Sequence, residues 1–207
     1  MLGYLILGIT YAFAAAVQPG PFQTYLISQT LSNGWRRSIP AAFGPMLSDG
    51  PIILLVLLVL SQTPVWLVQG LQCAGGIFLL YLAVGALHTW RNYQIVNPSQ
   101  NWTGRQTAIK GALVNLLNPN PWLAWSLVLG PLLLKGWRET PVNGIFLLAG
   151  FYTTMILVTL GIMLLFAAAR NLGASVSRAL VGLSAIAMAG FGFYELWLGL
   201  KMILLRL

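Results

Sequence analysis

The sequence predicts an all-α membrane protein of six transmembrane helices, arranged as a 3+3 inverted repeat with broken first and fourth helices. Three observations predict it. Hydrophobic residues make up 58% of the 207 residues and charged residues only 7%, where an ordinary soluble domain carries about a quarter charged. The apolar residues fall into six long runs, and a spanning helix needs roughly 20 of them. Two runs, the first and the fourth, are interrupted by proline clusters, with Pro19 and Pro119 standing 100 residues apart.

The runs cover about 3–31, 40–61, 68–89, 108–134, 142–169 and 178–200. The first could pass for a signal peptide, with small residues at Ala12, Ala14 and Ala16. It lacks a basic leading region and stays apolar up to Gln18-Pro19-Gly20-Pro21, so it is expected to be a retained span. A proline inside a helix removes a donor and clashes with the preceding turn, at about 3 kcal/mol or more. Two prolines flanking Gly20 should therefore open the backbone. The second run contains Gly44-Pro45-Met46-Leu47-Ser48-Asp49-Gly50-Pro51, another loosened stretch, with Asp49 near mid-span. The third carries Gly75, Gly76 and Gly85, and ends in His88, Trp90 and Arg91. The fourth contains Asn115 and then Asn118-Pro119-Asn120-Pro121, with Trp122 and Trp125 just beyond. The fifth carries no charged residue. The sixth repeats the small-residue frame of the third with Gly182, Gly190 and Gly192, and holds Glu195 toward its outer end.

The organisation expected is one membrane domain, 1–207, built as a three-helix unit 1–92, a cytoplasmic linker 93–107 and a second three-helix unit 108–207. Three spans per unit is an odd number, so the second unit enters the membrane from the opposite side. Broken helices at matching positions of two inverted halves point to a transport site near the midplane, because opened backbone survives in a bilayer only where protein covers it or a cavity wets it.

The net charge of +8, from 11 Lys+Arg against 3 Asp+Glu, is a topology signal and not a nucleic-acid footprint, since the bases lie singly between apolar runs. Arg36, Arg37, Arg91, Arg105, Lys110, Arg170 and Arg178 fall on one side, and Lys135, Arg138, Lys201 and Arg206 on the other. The richer side is expected to be cytoplasmic, which puts both termini outside. Trp35, Trp66, Trp90, Trp102, Trp137 and Trp197 fall near the run ends, where amphipathic rings anchor at the headgroups.

Charge at mid-bilayer costs roughly 2.5 to 3.5 kcal/mol even on a lenient scale, so an intramembrane acid is a functional candidate. Asp49 is read as a proton-exchanging or substrate-ammonium-binding carboxylate, against the simpler reading that it caps a half-helix. Gln18, Asn115, Asn118 and Asn120, with Pro19, Gly20, Pro21, Pro119 and Pro121, form the candidate substrate-binding or coupling set around the breaks. Ser48, Gln23, Trp122 and Glu195 are secondary candidates, Glu195 because water is within reach there and an interface role competes. The polar side chains at the breaks, Gln23 included, could bind a zwitterion or simply satisfy the opened backbone. His88 reads as a headgroup-level residue. No metal site and no cofactor are expected, with one His and one Cys, Cys73, in the chain. The same scarcity, and the lack of His-Glu-x-x-His or Gly-x-Ser-x-Gly, argues against an enzyme.

Gln18-Pro19-Gly20-Pro21, Gly34-Trp35-Arg36-Arg37, Ala41-Ala42-Phe43-Gly44 with Ser48-Asp49, the stretch Gly76 to Gly85, and Asn115-Leu116-Leu117-Asn118-Pro119 together resemble the signature of the lysine exporter (LysE/RhtB) family. The resemblance covers nearly the whole chain. It implies a multi-pass protein of the bacterial cytoplasmic membrane that exports amino acids or related small metabolites against protons. Family members often have Gly where this chain has Ser48, and Lys or a small residue where it has Asn120, so the resemblance leaves the cargo open. The partners expected are the small-molecule substrate, protons and the lipid bilayer, with homo-oligomerisation undecided. A passive small-solute channel or a membrane scaffold is the alternative class.

The topology is directly testable. In a Cys73→Ser background, Gln62→Cys is expected to react with a membrane-impermeant maleimide on intact cells, and Ser99→Cys only after permeabilisation; the reverse pattern inverts the orientation.

Overall fold

The computed structural model describes residues 1–58, 65–91, 104–170 and 173–204. Among them all regular structure is helical. The order is α1 (Leu2–Val17), α2 (Pro21–Asn33), α3 (Trp35–Ser38), a 3₁₀ turn (Ile39–Phe43), α4 (Gly44–Leu58), α5 (Val65–Arg91), α6 (Gly104–Leu117), α7 (Pro119–Ala124), a π turn (Trp125–Leu129), α8 (Gly130–Glu139), α9 (Pro141–Arg170) and α10 (Ala174–Leu204).

Four stretches are long and apolar enough to cross a membrane: Trp35–Leu57, Gln69–Arg91, Pro141–Ala169 and Ser175–Lys201. The bent pair α1 and α2, meeting at 65°, makes a fifth if it is one span. These match five of the six expected runs to within a few residues. The expected fourth run, 108–134, is helical as α6 to α8 but contains no single helix long and apolar enough to cross on its own. Asn118 cuts it, and the α6 segment before the cut has only 14 residues and carries Arg105, Gln106 and Lys110.

The helix α6 begins at Gly104, inside the stretch 93–107 expected as a linker; residues 93–103, with Trp102, lie outside the described residues, as do Arg206 and most of the 61–67 loop. One local expectation needs correction. The loosened backbone expected around Asp49 is displaced upstream. The 3₁₀ turn Ile39–Phe43 takes up the irregularity, and α4 then runs unbroken through Pro51. Pro45 is the second residue of α4, where no intrahelical donor is needed. Asp49 is thus the sixth residue of a continuous helix and caps nothing.

The most extensive helix pairings are α5 with α10 and α1 with α9, and α4 packs chiefly on α6. Small residues set the closeness of these crossings, as expected where lipid offers no hydrophobic drive between helices. On α1 the buried face is Gly8, Ala12 and Ala16, and a Cβ at Gly8 would collide with the Leu147 carbonyl of α9. The two glycine frames meet each other. A Cβ at Gly76 of α5 would come within 2.7 Å of Gly192 O on α10, whereas Gly85 faces open space. Near the other end of the same antiparallel pair, Arg178 lies over the Trp90 ring at 5.6 Å and donates from Nε to Trp90 O at 3.2 Å.

Gly76→Val is expected to destabilise the bundle by about 1 to 3 kcal/mol, the usual cost of forcing extra methyls into a packed crossing, and Gly85→Val to leave it unchanged. Thermal melts of the two purified variants check the contrast.

Candidate functional site

Both breaks begin the same way. Gln18 has φ −63° and ψ 122°, and Asn118 has φ −79° and ψ 126°. Each precedes a proline, whose ring drives the residue before it out of the helical region and into extended backbone. The breaks then diverge. At the first, Gly20 is also extended and caps α2 without a side chain, so the helix resumes only at Pro21. At the second, Asn118 Oδ1 accepts from the Asn120 amide at 3.0 Å, and α7 resumes at once with Pro119.

Opened carbonyls need donors, and side chains supply them. Gln23 Nε2 donates back across the first break to Ala16 O at 3.0 Å and Ala15 O at 3.3 Å. Trp122 Nε1 does the same across the second, to Leu116 O at 2.8 Å. The two receiving carbonyls, Ala16 and Leu116, are again 100 residues apart. Gln23 and Trp122 thereby have a structural task. Gln18, Pro19 and Asn120 are exposed, Gly20 and Pro121 are half-buried, and Pro21 and Pro119 are buried.

Beside the second break lies a polar cluster in an apolar wall. Asp49 on α4 is 2% exposed. Asn115, on the last turn of α6, donates from Nδ2 to Asp49 Oδ1 at 2.9 Å and to Ser48 Oγ at 2.8 Å. The Ser48 hydroxyl turns back to its own helix, 3.1 Å from Gly44 O. Tyr152 on α9 approaches Asp49 Oδ2 from its hydroxyl at 3.5 Å, a long contact for an O–H donor. The Trp125 side chain, in the π turn after the break, is a further hydrogen-bond partner of the carboxylate. Trp125 in turn packs edge-on against Phe151 at 5.6 Å, and Phe151 against Tyr152 at 5.2 Å. All these donors are neutral, and they bring α4, both sides of the second break and α9 to one carboxylate.

A separate narrow cleft, with room for about one water molecule, opens beside the C-terminal end of α6. Pro21, Gly75, Phe78, Leu79, Val114, Leu117, Asn118 and Glu195 line it. The two breaks thus share one cleft, Pro21 from the first and Asn118 from the second. Glu195 is not at a wet interface as expected. It is 7% exposed and faces inward.

Of the predicted residues, the structure brings Ser48, Asp49 and Asn115 into one cluster and Pro21, Asn118 and Glu195 into one cleft. It leaves Gln18, Pro19 and Asn120 outside both. Trp125 and Tyr152 were not singled out as site residues. An aromatic in an apolar run carries no sequence mark of what it touches, although the place of Trp125 beside a break was a hint. Among the described residues, no group of three or more His, Cys, Asp and Glu side chains is placed to hold a metal.

Comparison with known proteins gives a consistent result. A family model described as "LysE type translocator" matches residues 13–199. A Bacillus subtilis (strain 168) protein with the name "Putative amino acid efflux protein YcgF" is 28% identical over 208 residues, an alignment that takes in 98% of each chain. No solved structure matches.

Removing the amide of Asn115 leaves two buried oxygens without their shared donor. Asn115→Ala is expected to cost about 1 to 3 kcal/mol, the desolvation penalty of an unpaired buried group, and Asn120→Ala, on an exposed side chain, within about 0.5 kcal/mol of nothing. Equal melting points for the two variants would refute the assignment.

Proposed function

The chain belongs to the LysE type translocator family, and from that premise we propose that it is a secondary active transporter exporting amino acids or related small metabolites by proton antiport with alternating access. It is a multi-pass membrane protein of a transporter family, and we place it in the bacterial cytoplasmic membrane with both termini outside.

The observation that carries the reading is the shared cleft. Two helices broken before a proline, with matching torsions at Gln18 and Asn118, converge on one small cavity. A bilayer tolerates such backbone where it is covered by protein or lines a substrate path. A 3+3 inverted repeat would give this convergence a cause. In such a repeat α5 and α10 would be equivalent, and the pairing of α1 with α9 would correspond to that of α4 with α6; these are the pairings present. The units would then be 1–92 and, since Gly104 opens α6, about 104–207. The small-molecule path would run along Pro21 and Asn118, with Gln23 and Trp122 holding the two breaks open.

Asp49 is the proposed proton-exchanging group. Its oxygens accept from Asn115 and Tyr152, on different helices. A proton placed on Oδ2 adds a donor there, so that the Tyr152 hydroxyl must turn from donating to accepting, and a proton on Oδ1 weakens the bond from the Asn115 amide. Loading and unloading a proton would therefore change how α4 is held to α6 and α9, which is the kind of differential contact that alternating access requires. Its closeness to the second break connects that change to the cleft.

Proteoliposomes loaded with labelled amino acids test the reading. An imposed pH gradient is expected to drive at least one of them across the membrane; retention of every amino acid regardless of gradient contradicts it. Asp49→Asn should abolish the gradient-driven flux while leaving gradient-independent exchange of the same substrate, and full gradient-driven flux in that variant removes the carboxylate from the mechanism.

A further inference from the structure

The chain has three acid side chains, Asp49, Glu139 and Glu195, of which the proton exchange proposed above uses only Asp49. Glu195 of α10 is 7% exposed and lines the cleft, and its Oε2 has no hydrogen-bond partner among the described residues. Asp49 is the opposite case, with donors on both oxygens.

The opened backbone of the second break supplies a matching acceptor. In a continuous helix Leu117 O would take the amide of residue 121, but that residue is a proline and has no N–H. The amide one place earlier, from Asn120, goes to Asn118 Oδ1 at 3.0 Å, and Trp122 Nε1 goes to Leu116 O. The Leu117 carbonyl faces α5, where a Cβ on Gly75 would stand 2.5 Å from it. A Cβ on the next residue, Gly76, would stand 2.9 Å from the Leu196 amide of α10. One turn of α5 is thus flanked by Leu117 O and by the α10 turn that carries Glu195. Gly75, Leu117 and Glu195 line the same cleft, in which about one water molecule has room.

No positive side chain is set to keep Glu195 ionised. The helix α10 packs on α5, α2 and α9. Neither α5 before His88, nor α2, nor α9 before Arg170 carries a cationic residue, and Lys201 of α10 is exposed. Lys110 of α6 lies over the Tyr81 ring. The other titratable groups that these helices bury point elsewhere: Tyr25 donates to Thr107 O, Tyr152 to Asp49, and the Cys73 thiol abuts Gly199. Gln69 Nε2, a buried donor on the same stretch of α5, is itself unpaired, so it is not given to Glu195. A carboxyl group buried with neither cation nor donor takes up a proton rather than hold a charge.

We propose that Glu195 is a second proton-binding group, neutral in this arrangement, and that its carboxyl O–H donates to the Leu117 carbonyl at the second break, with one water in the cleft to relay the bond. Loss of the proton sets two acceptors against each other, so the hold on the break depends on it. The assignment goes beyond the antiport reading and does not rest on it.

Infrared spectra of the full-length purified protein at neutral pH, in a detergent without ester groups, test the proposal. A protonated carboxyl group has a carbonyl band that moves to lower frequency in D2O, and a carboxylate has no band there. Asp49→Asn combined with Glu139→Gln leaves Glu195 as the one acid side chain in the chain. This double variant should keep a deuterium-sensitive carboxyl band, at lower frequency than a monomeric carboxylic acid in dry hydrocarbon, because its O–H is donated. Glu195→Gln alone should remove a band of that position from the wild-type spectrum, and Glu139→Gln alone, on an exposed acid, should remove none. Absence of the band from the double variant, identical bands with and without Glu195→Gln, or a band at the free-acid position each overturns the proposal. If the double variant does not fold, the Glu195→Gln difference decides; if Glu195→Gln does not fold, the double variant does. The band without pH-driven flux in proteoliposomes would remove the antiport reading alone, and pH-driven flux without the band would remove the Glu195 assignment alone.

Discussion

A bilayer interior has no water to pair with an opened backbone, and the structure around the site follows from that constraint. Proline at 19 and at 119 forces the preceding residue out of the helix, so carbonyls one turn upstream lose their donors. Gln23 and Trp122 reach back over the breaks to replace them. Because the donors come from the helices that resume after each break, the interruptions are held at fixed geometry, and Pro21 and Asn118 can face one cleft. Close crossings through Gly8 and through Gly76 with Gly192 then seal the surrounding helices at backbone distance.

The same scarcity of water governs the acids. A carboxylate buried in an apolar wall must find donors in the protein or in a ligand. Asp49 finds them in the protein, from Asn115 before the break, Trp125 after it, and Tyr152 on α9. Asp49 thereby ties helices together and would change how they are held on protonation. Glu195 leaves an oxygen unpaired.

Much of this was legible in the sequence, and the part that was not has a physical reason. Helical breaks were readable because proline acts on its own neighbour, through sterics that need no tertiary context. Asp49 and Asn115 were readable because polar groups at membrane depth are rare. Glu195 was equally visible as a residue, but its distance from the end of the run said only how deep it lies and nothing of which way it faces. Tyr152 had no signal at all, since a phenol in an apolar run reads as core until its hydroxyl is seen beside a carboxylate. Gln18 and Asn120 misled in the other direction. Their backbone sits at the breaks, but other side chains satisfy the opened groups there, so their own side chains point away. The fourth run looked like one continuous helix in hydropathy, yet Asn118 divides it, so that no single helix within it is long and apolar enough to cross alone.

The central claim is that substrate and protons cross in opposite directions, coupled within one molecule. Proteoliposomes with a pH-sensitive dye in the lumen and no imposed pH gradient test it most directly. Adding an outward gradient of a transported amino acid is expected to acidify the lumen as the substrate leaves, in wild-type vesicles and not in protein-free ones. Substrate efflux at full rate with no change in luminal pH would contradict the account.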